Sequence, residues 1–215
     1  DRGPSDFDNR HRITSSFFYN TPSFKSATGG AAALGHVARN WRLGGIFSIR
    51  TSTPTTARIN IRRPGYLFNA TRPNIVPGQS LNPRAKQSIG CSDPITGAQF
   101  LAPGAPLREP DMFFDPCVFT LPEPGTIGNV GRATIYGPSI VVMDISLQRE
   151  FTVVNDWKLQ FRTEMFNLFN HTNYRTPNAS SMVIFTGRGF NPGVGRYVSP
   201  STTARQIQFA LRLSL

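Results

Sequence analysis

The sequence predicts an all-β fold of antiparallel strands, and three observations support this. The 215 residues include 19 Gly and 18 Pro, two residue types that oppose helix interiors. Only 16% of the residues are charged, and Phe, with 17 copies, dominates the aromatic residues. Several segments alternate apolar and polar residues, which is the period of a strand whose two faces meet different surroundings. No stretch approaches the roughly 18 uninterrupted apolar residues of a membrane helix.

The last nine residues alternate most strictly. Their apolar side chains are Ile207, Phe209, Leu211, Leu213 and Leu215, and their polar face carries Gln208, Ala210, Arg212 and Ser214. Chain ends commonly fray, whereas this alternation continues to the final residue. We therefore expect a strand that pairs with a neighbour, with the length and single apolar face of a strand in an outer-membrane barrel. A half-buried terminal strand of a soluble β-sandwich has the same pattern.

Five strands are predicted in all, with two long segments between them. The strands are expected near 11–19, 41–51, 140–151, 157–169 and 205–215, and the third and fourth form a hairpin around Asn155 and Asp156. The segments 52–138 and 170–204 show little periodicity and are predicted to be long loops. Outer-membrane barrels carry long loops on their external side, which makes segments of this length compatible with a barrel.

Aromatic residues favour a membrane barrel over a sandwich. If the C-terminus is periplasmic, four aromatic residues fall at periplasmic strand ends: Tyr19, Trp41, Phe151 and Trp157. Tyr and Trp rings gather at the level of the lipid headgroups, so these four are predicted to lie at the membrane interface. Five strands are fewer than the eight of the smallest barrels. Since the chain also lacks an initiating Met, we expect it to be the C-terminal part of a longer barrel.

Charged residues are expected on the lumen side of such a barrel. The formal net charge of +11 raises the question of a nucleic-acid partner, but no run of basic residues reaches five, and we expect none. Charges are tolerated on the lumen face of a barrel, which makes six residues candidates for a lumen charge network: Arg42, Arg50, Asp144, Lys158, Arg162 and Glu164. Plain solvated charges without a ligand are an equally valid interpretation of each residue.

Cysteine and histidine residues give no sign of catalysis. Cys91 and Cys117 are candidates for a disulfide in an oxidising compartment, with two free thiols as the alternative. No histidine lies between them to complete a metal site. The three histidines, His11, His36 and His171, have no catalytic partner at a suggestive spacing. We expect no enzymatic activity, no metal and no cofactor.

Several segments resemble one known family. Asp1–Arg12, Asn40–Ile46, Gly125–Arg132 and, most specifically, Leu159–Tyr174 (LQFRTEMFNLFNHTNY) are similar to the C-terminal barrel of TonB-dependent outer-membrane receptors of the Oar-like group. The resemblance covers nearly the whole chain and is weakest over residues 53–110. One departure is the final residue, because members of the group usually end in an aromatic residue and this chain ends in Leu215.

The resemblance implies a transport protein of the bacterial outer membrane. Its barrel would have 22 strands and a plug, preceded by a carboxypeptidase-regulatory-like domain, and the present chain would supply the last five strands. Its surroundings would be outer-membrane lipid and lipopolysaccharide. Energy from the TonB complex, which would act through upstream regions, would drive uptake of a large, scarce solute: a siderophore complex, cobalamin, an oligosaccharide or a protein. The alternative of a different class is a secreted or surface-attached β-sandwich that binds carbohydrate or protein.

Overall fold

The computed structural model describes residues 3–22, 39–61, 70–81 and 86–215. This part of the chain contains one short 3-10 helix, Pro116–Val118, and no helix that is long and apolar enough to cross a membrane. Its strands, numbered in chain order, are β1 (Arg12–Asn20), β2 (Trp41–Arg50), β3 (Pro54–Thr55), β4 (Arg58–Asn60), β5 (Ala70–Thr71), β6 (Asn74–Ile75), β7 (Cys91–Ser92), β8 (Gln99–Leu101), β9 (Phe119–Thr120), β10 (Ile135–Tyr136), β11 (Ile140–Val154), β12 (Trp157–Phe166), β13 (Val183–Thr186), β14 (Gly189–Phe190) and β15 (Gln206–Ser214).

The chain divides into two compact units. The first, here called the sheet unit, comprises His11–Arg50, Ile140–Asn173 and Thr202–Leu215. Its five strands form one sheet in the order β1-β2-β11-β12-β15, and every neighbouring pair is antiparallel. The fold is therefore all-β with an antiparallel main sheet, as the sequence predicts. The sheet is open, since five strands are fewer than a closed barrel needs.

The strand boundaries differ from the predicted ones at two places. The third strand was expected to end at 151 but continues to Val154, because Asn155 and Asp156 alone make the turn and Asn155 adopts the left-handed conformation that the turn requires (φ 50°). The fourth strand was expected to reach 169 but ends at Phe166, because Asn167 is also left-handed (φ 49°) and cannot continue an extended strand. The other three strands lie within a residue of their predicted bounds.

The register of the sheet separates two chemically different faces. Residues directly opposite each other in a sheet point to the same side, and successive residues alternate between sides. The odd-numbered strand residues form an apolar face, in rows such as Leu43, Leu147, Thr163 and Phe209. The even-numbered residues form a polar face, in rows such as Gly44, Ser146, Glu164 and Gln208. Both names are used in this sense below.

The second compact unit, here called the loop unit, comprises Asp1–Arg10, Thr51–Ser139 and Tyr174–Ser201. Its largest sheet has the order β14-β13-β4-β5, in which β13 and β4 run parallel, and three two-stranded pairs join β3 to β10, β6 to β9 and β7 to β8. Thirteen of its buried apolar side chains form one cluster: Ala57, Ile59, Phe113, Phe114, Val118, Phe119, Val130, Ile135, Met182, Ile184, Phe185, Phe190 and Val194.

The loop unit corrects the expectation of two separate, irregular loops. Residues of 52–138 and of 170–204 share one core, in which Ile59 of β4 pairs with Phe185 of β13. The backbone N–H of Arg58 also donates to the carbonyl oxygen of Met182 at 2.9 Å. The strands involved are two to four residues long, too short to produce a visible alternation. The sequence pattern therefore missed a packed unit that is built from contacts between distant segments.

Candidate functional site: the two faces of the sheet

All six predicted lumen charges lie on the polar face of the sheet. Arg42 and Arg50 belong to β2, Asp144 to β11, and Lys158, Arg162 and Glu164 to β12. Arg12, Glu150 and Arg212 join them at even-numbered positions, so each of the five strands places at least one charged side chain on this face. The polar face is consequently charged across its whole width.

The structure pairs some of these charges and separates others. Arg162 forms an ion pair and hydrogen bond with Glu164, two residues along the same strand. Lys158 Nζ lies 3.8 Å from Glu150 Oε1 on the neighbouring strand. These pairs are partly exposed, and a solvated ion pair of this kind contributes only about 0–1 kcal/mol to stability. They fix side-chain positions rather than supply much free energy.

Arg42 and Arg50 do not join that network. In the described part of the chain neither forms an ion pair with an acidic side chain, and eight residue steps along β2, about 27 Å, separate them. Arg42 lies in the same row as Arg162, with Gln148 between them. Arg50 lies opposite Ile140 at the other end of the sheet. The face therefore carries two separate cationic positions in addition to the paired charges.

Asp144 lines a small cavity near the end of β12. One carboxylate oxygen of Asp144 accepts a hydrogen bond from the backbone N–H of Asn167 at 2.9 Å. The cavity has a volume of about 340 Å³, and its walls come from Val142, Asp144, Phe166, Asn167, Thr202, Thr203 and Gln206. Its lining combines carboxylate, amide and hydroxyl side chains with the apolar side chains of Val142 and Phe166.

Three asparagines that follow β12 hold the end of the sheet together. The side-chain amide of Asn167 donates to the carbonyl oxygens of His171 and Thr203, both at 3.0 Å. The side-chain oxygen of Asn170 accepts from the backbone N–H of Arg205 at 3.0 Å. Asn167, Asn170 and Asn173 all lie in Leu159–Tyr174, the segment with the most specific family resemblance. Their hydrogen bonds give a structural reason for asparagine at these positions.

Asn173 makes the third and best-buried of these links. Its side chain accepts from the N–H of Val141 at 2.7 Å and donates to the carbonyl oxygen of Val141 at 2.8 Å. The backbone N–H of Leu168 donates to the carbonyl oxygen of Met143 at 2.8 Å and so extends the hydrogen bonding with β11 by one residue pair. After Leu168 the chain leaves the sheet. Asn173 thus stands where the next residue of a longer β12 would pair with β11.

The four predicted interface aromatics lie on the apolar face, at the end of the sheet with the Asn155–Asp156 turn. From one strand to the next, the aromatic residue lies two positions nearer the Asn155–Asp156 end than the residue directly opposite its predecessor. Tyr19 lies opposite Leu43, two residues from Trp41. In the same way, Trp41 lies opposite Arg149, two residues from Phe151, and Phe151 lies opposite Leu159, two residues from Trp157. Each strand thus moves the aromatic position by the same two residues.

If all four aromatic residues lie at one depth in the membrane, their positions must shift by a constant number of residues from each tilted strand to the next. With strands about 4.8 Å apart and tilted by about 45°, a level moves about 4.8 Å along each successive strand, or about 1.4 residues. The nearest step that keeps side chains on the same face is two residues. The diagonal of aromatics is therefore consistent with one headgroup level.

Arg149 is a residue of the apolar face that sequence reasoning missed. It is the only charged residue at the odd-numbered positions of the five strands. Its guanidinium carbon lies 4.6 Å from the ring centroid of Phe151 and 5.7 Å from that of Trp41. The signal was available, since a single arginine interrupts the apolar series of β11 between Leu147 and Phe151.

In the loop unit, Cys91 and Cys117 form a disulfide bond. Nearby, Asp93 accepts hydrogen bonds from the backbone N–H of Thr96 at 3.0 Å and of Phe190 at 2.7 Å, which ties the β7-β8 hairpin to β14. These bonds, that of Thr96 first, hold the pKa of the partly exposed Asp93 carboxyl below its usual range, because they favour the charged form.

Neither described histidine belongs to a cluster of potential metal ligands. His171 is exposed, and its backbone N–H donates to Asn167 at 3.0 Å; His11 is also exposed, and His36 lies outside the described residues. Among the residues that the structure describes, no group of three or more His, Cys, Asp or Glu side chains is arranged to hold a metal ion.

The apolar face is exposed. Phe209 and Leu211 of β15 are 69% and 71% exposed, and Ile13, Tyr19, Ile207 and Leu213 are similarly uncovered. A water-soluble sandwich would bury such a face against a second sheet. An antiparallel sheet with one exposed apolar face and one charged face is the wall of a membrane-spanning β-barrel.

Comparison with known families agrees with that class. The family model described as an outer membrane beta barrel domain matches residues 1–208. The chain therefore belongs to this family, and its place is the bacterial outer membrane. Searches of curated proteins and of solved structures gave no match.

Proposed function

We propose that this chain is part of a TonB-dependent outer-membrane transporter of the Oar-like group, which moves a large, scarce solute across the outer membrane. The observation that carries the proposal is the polar face, to which all five strands contribute charged side chains behind an exposed apolar face. In a barrel of this kind the charged face lines the lumen, where it holds a plug or contacts the passing solute.

The apolar face has the height that an outer membrane needs. From Val141 to Phe151, β11 spans ten residue steps, about 34 Å along the strand and about 24 Å along the membrane normal at the same tilt of about 45°. The apolar band of outer-membrane barrels is about 25 Å tall. This agreement supports contact between the apolar face and lipid over the length of β11.

The connections that follow β2, β11 and β12 support one orientation, whereas the connection between β1 and β2, residues 21–40, lies at the same end as the Asn155–Asp156 turn and is longer. The Asn155–Asp156 turn is short, as periplasmic turns of outer-membrane barrels are. At the opposite end of the strands, Thr51–Ser139 and Tyr174–Ser201 leave the sheet and contribute to the loop unit. We infer that this unit is extracellular and selects the solute, because loops carried by a rigid scaffold commonly do so. The protein on this proposal is a carrier, not an enzyme.

Dependence on TonB and the presence of a plug rest on the resemblance of Leu159–Tyr174 to the Oar-like receptors. They are tested on the full-length protein in two ways. The purified protein is expected to bind the periplasmic domain of TonB in a pull-down. In planar bilayers it is expected to show no steady conductance until urea unfolds the plug. A steady open channel without denaturant, or no TonB binding, would contradict the proposal and indicate a porin.

The solute class is tested by uptake. Cells that produce the protein are given radiolabelled cyanocobalamin, ferrichrome or maltohexaose, with and without TonB. We expect accumulation of one of these probes that disappears when TonB is removed. Accumulation that persists at the same rate without TonB would refute energised transport.

A further inference from the structure

Large apolar side chains interrupt the polar face of the sheet near Asp144. Phe18, Ile46 and Phe166 lie at even-numbered strand positions and are 64%, 52% and 36% exposed. Phe18 lies opposite Gly44, two residues from Ile46, and Ile46 lies directly opposite Asp144. Exposed apolar side chains that adjoin one another mark surfaces where a ligand or partner binds. This part of the polar face therefore combines open apolar surface with a carboxylate.

The cavity at Asp144 opens on this part of the face. Its lining includes Val142, Asp144, Phe166 and Gln206, which are even-numbered residues of β11, β12 and β15. All of its lining residues belong to the sheet unit, so this unit alone forms the cavity. Its volume of about 340 Å³ falls within the range of small-molecule sites, about 300–1,000 Å³. Apolar walls with a few polar groups are the composition that holds and orients a small ligand.

The carboxylate of Asp144 keeps acceptor capacity for such a ligand. One of its oxygens accepts the backbone N–H of Asn167 at 2.9 Å, which fixes the position of the side chain. Among the residues that the structure describes, this carboxylate forms no ion pair and no second hydrogen bond. A carboxylate has two oxygens with about four acceptor positions, so most of its capacity is unused. The residue is only half-buried and lines the cavity, which makes these positions accessible.

The charges around the cavity favour a cation. No basic side chain lines it. Arg42 and Arg50 each lie four residues along β2 from Ile46, about 13 Å, which exceeds the Debye length of about 8 Å at physiological salt. Arg162 of β12 is already held in an ion pair on its own strand. Asp144 therefore carries a negative charge without a cationic partner, next to apolar surface.

We propose that the Asp144 cavity binds the protonated amine of a solute whose neighbouring part is apolar. The carboxylate accepts the ammonium N–H groups, the apolar part packs on Val142 and Phe166, and Ile46 extends that apolar surface. A charge-assisted hydrogen bond of this kind is stronger than one from a neutral hydroxyl. The inference names a class of solute and rests on the proposed function for its natural ligand, but binding to the cavity needs neither TonB nor transport.

The test measures binding of two matched probes to the full-length protein in phosphatidylcholine nanodiscs. The first, 2-(4-fluorophenyl)ethylamine, carries an ammonium group and an apolar ring, and the second, 2-(4-fluorophenyl)ethanol, has a neutral hydroxyl instead. Titrations are followed by fluorine NMR, and protein-free nanodiscs correct for partition into lipid. An accessible ion pair changes a binding constant by up to about fivefold, so we expect the parent to bind the amine about fivefold more tightly than the alcohol.

Three variants locate the binding. Asp144→Asn keeps an oxygen for the N–H of Asn167 but removes the charge, so we expect it to bind the amine no more tightly than the alcohol. Asp156→Asn makes the same change at the exposed turn between β11 and β12 and is expected to bind both probes as the parent does. Phe166→Ala removes part of the apolar lining and is expected to weaken binding of both probes while the preference for the amine remains. Retained heat-modifiability on SDS gels shows that each variant is folded.

The outcomes distinguish this site from the transport proposal. A parent protein that binds neither probe, or both equally, would refute the site, as would a folded Asp144→Asn that keeps the preference for the amine. If Asp156→Asn loses the preference to the same extent, it comes from net charge and the site is again refuted. Unchanged binding of both probes by Phe166→Ala would place them outside the cavity and overturn the inference. Failure of TonB binding with an intact amine preference would refute only the transport proposal.

Discussion

Removal of the Asn173 side chain is expected to destabilise the barrel wall markedly. Asn173 is 1% exposed, and its amide satisfies both the N–H and the carbonyl oxygen of Val141, at 2.7 and 2.8 Å. It also donates to the hydroxyl of Thr202 at 3.1 Å. Asn173→Ala leaves these groups without their partner and offers nothing in exchange.

The magnitude follows from the orphaned groups. Each buried polar group that loses its partner costs about 1–3 kcal/mol, so the two backbone groups of Val141 give about 2–6 kcal/mol in total. The hydroxyl of Thr202 rotates to a new partner and adds little. For a domain of this size, each kcal/mol lowers the melting temperature by about 2–4 °C, so a loss of about 4–24 °C is expected.

The assay is thermal unfolding of the full-length protein in detergent, followed by circular dichroism and by heat-modifiability on SDS gels. The matched control is Asn170→Gly, which removes one exposed hydrogen bond and keeps the left-handed backbone of Asn170 (φ 51°) unstrained. We expect this control to cost under about 1 kcal/mol. If Asn173→Ala melts within a degree or two of the parent, Asn173 does not stand in for a strand residue.

Three further changes test the loop unit. Cys91 and Cys117 are 26 positions apart, so loss of their disulfide is expected to lower the free energy of unfolding by about 3.5 kcal/mol by the chain-entropy relation. The measurement is the denaturant midpoint with and without reductant, and the midpoint is expected to be lower in reductant. An unchanged midpoint would show that the bond does not stabilise this unit. Gly128→Ala places a Cβ against two backbone carbonyl groups and is expected to lower the stability of the protein. The loss is expected to exceed that of Gly125→Ala, where the positive φ (82°) is strained for alanine but the space is open. Equal stability of the two variants would contradict the packing around Gly128. The Asp93 pKa is lower in the folded state, so its stabilising effect is complete above the usual carboxyl pKa of 3.8 and is lost as the pH falls through the lower folded value. Asp93→Asn is therefore expected to flatten the acid side of the stability profile, and a profile that falls as steeply as that of the parent would contradict this.

The strands of the sheet unit could be predicted from the sequence because each is long and keeps one face largely apolar and the other largely polar along its length. Alternation in β15 and in the β11-β12 hairpin is a local signal, and the register then follows from matching apolar sets. Strand ends were less predictable, because Asn167 ends β12 through its backbone conformation rather than through a change in polarity.

The loop unit could not be predicted in the same way. Its strands have two to four residues, and its core joins residues such as Ile59 and Phe185 that are far apart in the sequence. The alternation of residues could not predict which charged side chains form ion pairs. It places Arg42 and Arg162 on one face, but only the structure shows that Arg162 pairs with Glu164. Arg149 was visible as an interruption, and its aromatic contacts were not.

The central claim is that the apolar face touches lipid and the polar face does not. Because the two cysteines of this chain are joined in a disulfide, single spin labels can be attached at Leu211→Cys and at Arg212→Cys, adjacent residues of β15 on opposite faces. In proteoliposomes the label at 211 is expected to collide with oxygen and not with a water-soluble nickel chelate, and the label at 212 is expected to show the reverse. Equal access of the nickel chelate to both labels would contradict the account.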